Sequence, residues 1–138
     1  MRLVYTDGLA GGRLQSQFQL ARVHDANRGG AGEQREGFAA GMRASYQWQA
    51  SPSSAGWHSV DLSLSQRHLE DRTAYAPALF PGLKRSNRMS QAHLHWHYQV
   101  PQSPWSWRIE WQYLKSEDRL ALFDYQAHSV LVQSQFGW

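Results

Sequence analysis

The 138-residue sequence contains no cysteine. Disulfide bridges, thiolate metal ligands and cysteine nucleophiles are therefore excluded. It also lacks any run of 18 apolar residues, so it predicts no transmembrane helix. The formal charge is only +3 and the basic residues are scattered, which argues against a nucleic-acid-binding surface. The negative mean hydropathy does not exclude a membrane, because a strand of a transmembrane barrel needs apolar residues only at alternate positions.

The clearest pattern runs from 105 to 113, where large apolar and polar residues alternate without a break. Alternation is the period of a β-strand, whose successive side chains point to opposite faces. Residues 91–100 repeat the pattern, and the Pro-rich segment 101–104 between them predicts a short turn. One face of this hairpin is rich in tryptophan, and the other carries Gln, His and Ser with isolated charges. This composition favours lipid on one side and a hydrated lumen on the other.

The same alternation predicts about seven strands, joined by connections that are alternately short and long. Short turns fall near 51–56 and 101–104, and long polar loops near 25–37 and 69–88. The phase breaks at Arg22, which predicts either a bulge near Ala21 or the end of the lipid zone. The predicted fold is all-β, an antiparallel transmembrane β-barrel, with residues 1–138 as a single domain.

The first residues lack the apolar core of a signal peptide, although an outer-membrane protein must be secreted. With seven strands, the first and last strands would also run in the same direction and could not pair antiparallel. We therefore expect residues 1–138 to be a segment that forms the C-terminal portion of a larger barrel.

The polar phase of the strands predicts which side chains face the lumen. Amides and imidazoles predominate among them, with a few charges that would pair across the barrel wall and tune what passes. The predicted lumen-facing residues are Arg43, Gln47, Asp61, Arg67, His93, His95, His97, Arg108, Glu110, Gln112, Gln133 and Gln135.

Tryptophans cluster beside the predicted short turns and at the end of the chain. An aromatic girdle at one membrane interface has this placement, because an indole keeps its ring in apolar surroundings and its N–H near water. The predicted girdle consists of Trp48, Trp57, Trp96, Tyr98, Trp105, Trp107, Trp111 and Trp138.

The final segment carries a resemblance to known proteins. Val130, Val132, Phe136 and Trp138 form an alternating strand with a terminal aromatic residue, which resembles the C-terminal signal of bacterial outer-membrane barrels. The segment 120–130 resembles the last hairpin of the surface lipoprotein assembly modifier family, whose barrels follow tetratricopeptide repeats. The resemblance implies an outer-membrane location and recognition of the last strand by the barrel-assembly machinery.

His93, His95 and His97 stand at alternate positions of one strand, and two histidines at this spacing can share Zn²⁺. Either they line a hydrated, partly protonated lumen, or they form a membrane-embedded, metal-dependent enzyme site with Asp61 or Glu110 as second-shell partner. We favour the lumen and expect no catalysis and no cofactor.

The leading hypothesis is an outer-membrane pore that translocates or exports a protein or polymer client, including a polysaccharide. A small structural barrel with a plugged lumen, the metal-dependent enzyme and a soluble ligand-binding barrel are the alternatives. Outer-membrane lipid and lipopolysaccharide are expected partners, with Lys84, Arg85 and Arg88 as candidate contacts to lipid phosphates.

Overall fold

The computed structural model describes residues 1–9, 11–26, 34–49, 56–71, 78 and 81–136. Seven strands pair antiparallel, each with the next, in one sheet of order β1 to β7. A one-turn 3-10 helix, Ala121–Phe123, precedes the last strand. The strands are β1 Arg2–Leu9, β2 Gly12–Ala26, β3 Gln34–Gln49, β4 Trp57–Asp71, β5 Ser86–Gln99, β6 Trp105–Asp118 and β7 Tyr125–Phe136.

The predicted all-β fold with about seven antiparallel strands is confirmed, and the sheet is open rather than closed on itself. Strands β2, β3 and β4 are longer than the sequence pattern predicted, since β2 continues to Ala26, β3 begins at Gln34 and β4 ends at Asp71. Within the described residues, no helix has both the length and the apolar character needed to cross a membrane.

The two ends of the sheet differ in how their strands are connected. We call the end with the β1–β2, β3–β4 and β5–β6 connections the turn end, and the opposite end the loop end. At the turn end, Leu9 pairs with Gly12. Gly11 lies between them with φ of 77°, a conformation that glycine adopts without a Cβ clash. At the loop end, the β6–β7 connection contains the 3-10 helix.

The predicted bulge near Ala21 is wrong. Strand β2 pairs with β3 without a skipped residue from Gly12 to Ala26. Arg22 keeps the phase of the strand and places its guanidinium 3.7 Å from the Glu36 carboxylate. The apolar part of that face therefore ends at Arg22, and the backbone register does not change.

The register sorts the side chains onto two faces. The face that we call the apolar face has a central cross-strand row made of Ala44, Leu62, Leu94, Trp111 and Val130. The other, the polar face, carries the neighbouring row Arg43, Ser63, His93, Gln112 and Ser129. Because the strands are paired without interruption, one phase holds across the sheet from β2 to β7.

The sheet is a single layer with almost no core. Among the described residues the one buried apolar side chain is Leu69, at 2% exposure, whereas Val130 on the apolar face is 68% exposed. The accessible surface is 9756 Å². A compact monomer of this mass would expose roughly 7,400 Å². The apolar face is thus left uncovered by the residues that the structure describes.

Candidate functional site

The polar face brings the predicted lumen residues together. The register places on it all the side chains that the sequence pattern assigned to the lumen. They belong to five adjacent strands, β3 to β7, and the residues are Arg43, Gln47, Asp61, Arg67, His93, His95, His97, Arg108, Glu110, Gln112, Gln133 and Gln135.

Two carboxylates organise the centre of this face. Asp61 accepts a hydrogen bond from Arg43, with 3.1 Å between Nη2 and Oδ1. The other oxygen of Asp61 lies 3.6 Å from Nδ1 of His95. Glu110 repeats the arrangement, because it pairs with Arg108 and its Oε2 lies 3.9 Å from Nε2 of His93. Each carboxylate therefore lies between one guanidinium and one imidazole.

The charges at the centre of the polar face are balanced while the imidazoles are neutral. Arg43 and Arg108 offset Asp61 and Glu110. In that state the region offers hydrogen-bond donors and acceptors to a polar chain without a net charge.

The histidines also border a small cavity. Its volume is about 290 Å³, and it is lined by His95, His97, Ser106, Arg108, Gln133 and Gln135. The His95 and His97 rings are stacked with their centroids 6.4 Å apart. Nε2 of His93 and of His95 is buried and has no hydrogen-bond partner in the described part of the chain. These nitrogens are available to a polar group that enters from the open side of the sheet.

The histidine row does not assemble a metal centre in this geometry. Across the ranges that the structure describes, no three His, Cys, Asp or Glu side chains are placed so that they could hold a metal ion. Alternate positions do bring the imidazoles to one face, but His93 and His95 turn toward different carboxylates. The three-ligand arrangement that a zinc enzyme would need is therefore not formed by these residues.

A second cluster, which the sequence pattern did not reveal, lies on the polar face at the loop end. We call it the rim cluster, and it consists of Arg35, Asp71, Arg85, Asp118 and Phe123. Arg35 Nε lies 2.9 Å from Asp71 Oδ1, and Arg85 Nε lies 2.6 Å from Asp118 Oδ2. The Arg85 guanidinium also lies 3.8 Å from the centroid of the Phe123 ring. The Asp118 side chain is fully buried, so this end of the polar face is packed.

Backbone contacts fold the β6–β7 connection over the polar face. The Asp118 N–H donates to Asp124 Oδ1 over 2.5 Å, and the Arg119 N–H donates to the Ser86 carbonyl over 2.9 Å. Asn87 Nδ2 donates to Ser116 Oγ over 2.7 Å. The 3-10 helix is thereby held above strands β5 and β6.

One signal in the sequence could have indicated the rim cluster. Leu69 and Leu114 stand in the polar phase of their strands, in line with Arg67 and Gln112. Apolar residues in a hydrated phase show that something covers that end of the face. The ion pair between Arg85 and Asp118 spans 33 positions and leaves no trace in local alternation.

The aromatic residues at the turn end form a stacked series on the apolar face. His58, which the sequence analysis did not single out, is at its centre. Its ring stacks on Trp48, Trp96 and Tyr98 with centroid distances of 5.0, 5.8 and 4.4 Å. Nearby, the Trp105 ring meets Phe136 edge to face at 5.1 Å.

Three predicted girdle residues differ from this group. Trp57 pairs with Gln49 and Gln99, so it lies on the polar face, contrary to the prediction. The neighbouring His58 takes the apolar-face position instead, because adjacent strand residues alternate. Trp111 shares the central row of the apolar face with Leu62 and Leu94, away from the turn-end series. Trp138 lies outside the described residues.

The three basic residues proposed to meet lipid phosphates also separate. Arg85 belongs to the rim cluster on the polar face, where Asp118 and Phe123 already engage its guanidinium. Arg88 is on the apolar face, paired in register with His68 and Glu117, and it is exposed. Lys84 is exposed in the connection before β5. Only these two cations remain available for such a contact.

Comparison with known proteins adds no identity to this geometry. No protein-family model, curated protein or solved structure matches the chain. The resemblance to outer-membrane barrels and to the surface lipoprotein assembly modifier family stays a prediction.

Proposed function

We propose that the chain forms part of the wall of a bacterial outer-membrane barrel that translocates a protein or polymer client. The observation that carries the proposal is the sorting of one uninterrupted sheet into an apolar face with large exposed side chains and a polar face of amides, imidazoles and paired charges. Lipid would cover the first face, and water would fill the space beside the second.

The apolar face supports the lipid contact because nothing in the described chain covers it. Leu94, Ile109 and Val132 lie mid-strand on this face, and all are exposed. Large exposed side chains that are contiguous across several strands mark a surface that meets lipid or a partner. Toward the loop end the apolar rows give way to ion pairs, such as Lys115 with Glu117 at 2.6 Å. An apolar band bounded by charged groups suits a bilayer with a polar interface.

The polar face supports passage of a hydrogen-bonding client. Gln47, Gln112 and Gln133 offer amide donors and acceptors without fixed charge. The fixed charges near the centre are already neutralised in pairs. Such a wall can exchange hydrogen bonds with a moving polar chain and has no strong charge that would trap it.

The two sheet edges support a larger barrel. Strands β1 and β7 run in the same direction, because each strand of the series is antiparallel to the next. Pairing these two edges directly would give a parallel contact, whereas bacterial barrels of one chain are antiparallel. Antiparallel closure therefore requires an odd number of additional strands, and we propose that the barrel contains them.

Single-cysteine labelling of the whole protein in proteoliposomes tests the assignment of the faces. Residues 1–138 contain no cysteine, so within them each introduced thiol is the one that reacts once any cysteine elsewhere in the whole protein has been replaced. We compare adjacent positions at equal depth, Leu62→Cys with Ser63→Cys and Leu94→Cys with His93→Cys. A membrane-impermeant maleimide should label Ser63→Cys and His93→Cys, while lipid shields the other two. Equal labelling of both members of a pair would overturn the assignment.

Conductance distinguishes a pore from a plugged structural barrel. The reconstituted protein should conduct ions with weak charge selectivity, and a bulky cationic thiol reagent on Ser63→Cys should reduce the current. The same reagent on Leu62→Cys should leave the current unchanged. If the bilayer shows no current at any voltage, the pore is overturned and the plugged structural barrel remains as the hypothesis. A protein that stays monodisperse without detergent would instead favour the soluble ligand-binding barrel.

A further inference from the structure

A cavity at the loop end contains a guanidinium that has no counter-ion in the described part of the chain. The cavity lies beside the rim cluster on the polar face and has a volume of about 400 Å³. Arg35, Arg67 and Arg85 all line it, together with Asn87, Asp124 and Tyr125. A space of this size can hold a small ligand or one group of a larger one.

The three arginines differ in what they already bind. Arg35 pairs with Asp71, and Arg85 pairs with Asp118 and stacks on Phe123. Arg67 has no carboxylate within ion-pair distance among the described residues. One of its terminal nitrogens donates to the Met89 sulfur over 3.8 Å, and a thioether is a weak acceptor. The donor capacity of the cluster that remains unused is therefore concentrated at Arg67.

One N–H of Arg67 is buried, so its lack of a partner matters. Its Nε is buried and has no hydrogen-bond partner among the described residues. The side chain as a whole is half-buried, but this one buried N–H needs an acceptor, because an unsatisfied buried donor is unfavourable. The planar fork of arginine matches two oxygens of a carboxylate or phosphate. An oxyanion in the cavity would satisfy Nε and a terminal nitrogen together.

A carboxylate, that of Asp124, lines the same cavity and competes with an anionic ligand. Its Oδ1 accepts a hydrogen bond from the Asp118 N–H, which holds the carboxylate toward the backbone of the β6–β7 connection. Asp71 and Asp118 are occupied by Arg35 and Arg85. The cavity thus presents one available cation to a ligand, with one carboxylate near enough to weaken binding.

We propose that Arg67 is the centre of an oxyanion-binding site that takes a carboxylate or phosphate group on the polar face at the loop end. The site does not require that the sheet conduct, since it is built from contacts within the described strands. Carboxylate and phosphate present the same pair of oxygens to a guanidinium, and separate titrations with acetate and phosphate distinguish them.

Calorimetric titration of the detergent-solubilised whole protein tests this site. Inorganic phosphate and acetate are titrated separately, at constant ionic strength in chloride. Saturable binding of either probe is expected, and the probe that binds more tightly identifies the ligand group. Arg67→Gln should weaken binding roughly ten-fold or more, as expected for loss of a charge-assisted hydrogen-bonded pair. Arg22→Gln, which removes an exposed guanidinium from the apolar face, is the matched control and should bind as the native protein does.

Two further variants keep the test decisive if Arg67→Gln fails to fold. Asp124→Asn retains the Oδ1 acceptor and removes the nearby charge, so it should tighten binding. Arg67→Lys keeps the charge but loses the fork, so its affinity should fall between those of native protein and Arg67→Gln. Absence of saturable binding by the native protein would overturn the proposal, as would equal affinity in all Arg67 and Asp124 variants.

Discussion

The turn end and the loop end of the sheet are held together by different kinds of contact. At the turn end, aromatic rings stack across strands on the apolar face, with His58 and Tyr98 only 4.4 Å apart. At the loop end, buried ion pairs hold a folded connection against the polar face, with Asp118 fully buried beside Arg85. One end is thus stabilised on the apolar face and the other on the polar face, which teaches that a single-layer sheet can be stabilised from opposite faces.

The largest expected effect comes from breaking the ion pair between Arg85 and Asp118 in the rim cluster. Asp118→Ala removes a buried carboxylate and leaves the mostly buried Arg85 without that partner. Loss of one partner of a buried pair costs about 3 to 5 kcal/mol. Denaturant unfolding of the whole protein in micelles would measure the loss, and hydrogen exchange should show that residues 84–86 and 119–124 open first.

Two variants sharpen that result. Arg85→Ala combined with Asp118→Ala should recover part of the lost stability, because no charge is then left buried alone. Glu117→Ala breaks an exposed pair with Lys115 in the same strand and should change stability little. Equal losses of unfolding free energy for Asp118→Ala and Glu117→Ala would show that the rim cluster is no stronger than a surface contact.

The next effect tests the middle of the apolar face, between the two ends of the sheet. Arg at Leu62, Leu94 or Ile109 should destabilise a membrane-inserted barrel by about 2 to 4 kcal/mol where the position lies at mid-bilayer. Arg at Gln47 or Gln112, on the polar face, should have a mild effect because water solvates it. Folding yields in liposomes compare the two sets, and equal penalties would contradict the assignment of lipid to the apolar face.

A smaller effect is expected from the aromatic series at the turn end. His58→Ala removes a ring that stacks on Trp48, Trp96 and Tyr98 and should cost about 1 kcal/mol, the range of aromatic pairs. His58→Phe preserves stacking and should be near native. The adjacent Trp57→Ala, on the polar face, should be milder than His58→Ala when the same unfolding curves are compared. The opposite order would mean that the register at the start of β4 is misassigned.

The smallest effect concerns the histidine row midway between the ends. Conversion of His93, His95 and His97 to Ala should leave conductance near neutral pH almost unchanged, since the amides of the polar face still offer hydrogen bonds to water and ions. It should abolish a rise in anion preference between about pH 7.5 and 5.5, where imidazole gains a proton. Reversal potentials in a salt gradient measure that preference. A pH dependence that survives the triple substitution would assign it to other groups.

Alternation predicted the seven strands and the faces because every strand pairs with its neighbour in sequence. A nearest-neighbour sheet needs only local patterns, and the phase of Trp105 to Tyr113 already separates its two faces. Clustering of tryptophans near a turn assigned Trp57 to the girdle, whereas the strand period places it on the polar face with Ser59 and Asp61. Alternation also missed the rim cluster, since Arg85 and Asp118 are 33 positions apart and meet only at the end of the β5–β6 pairing.

Because each strand of the open sheet pairs with the next one in sequence, the sheet can change its width in a simple way. Each connection joins adjacent strands, so a hairpin can be added or lost at an edge without disturbing the pairing of the rest. Every such step changes the width by two strands and keeps tight turns on one side and longer connections on the other. The sheet can therefore widen by duplication of a local unit, while the chemistry of each existing strand is retained.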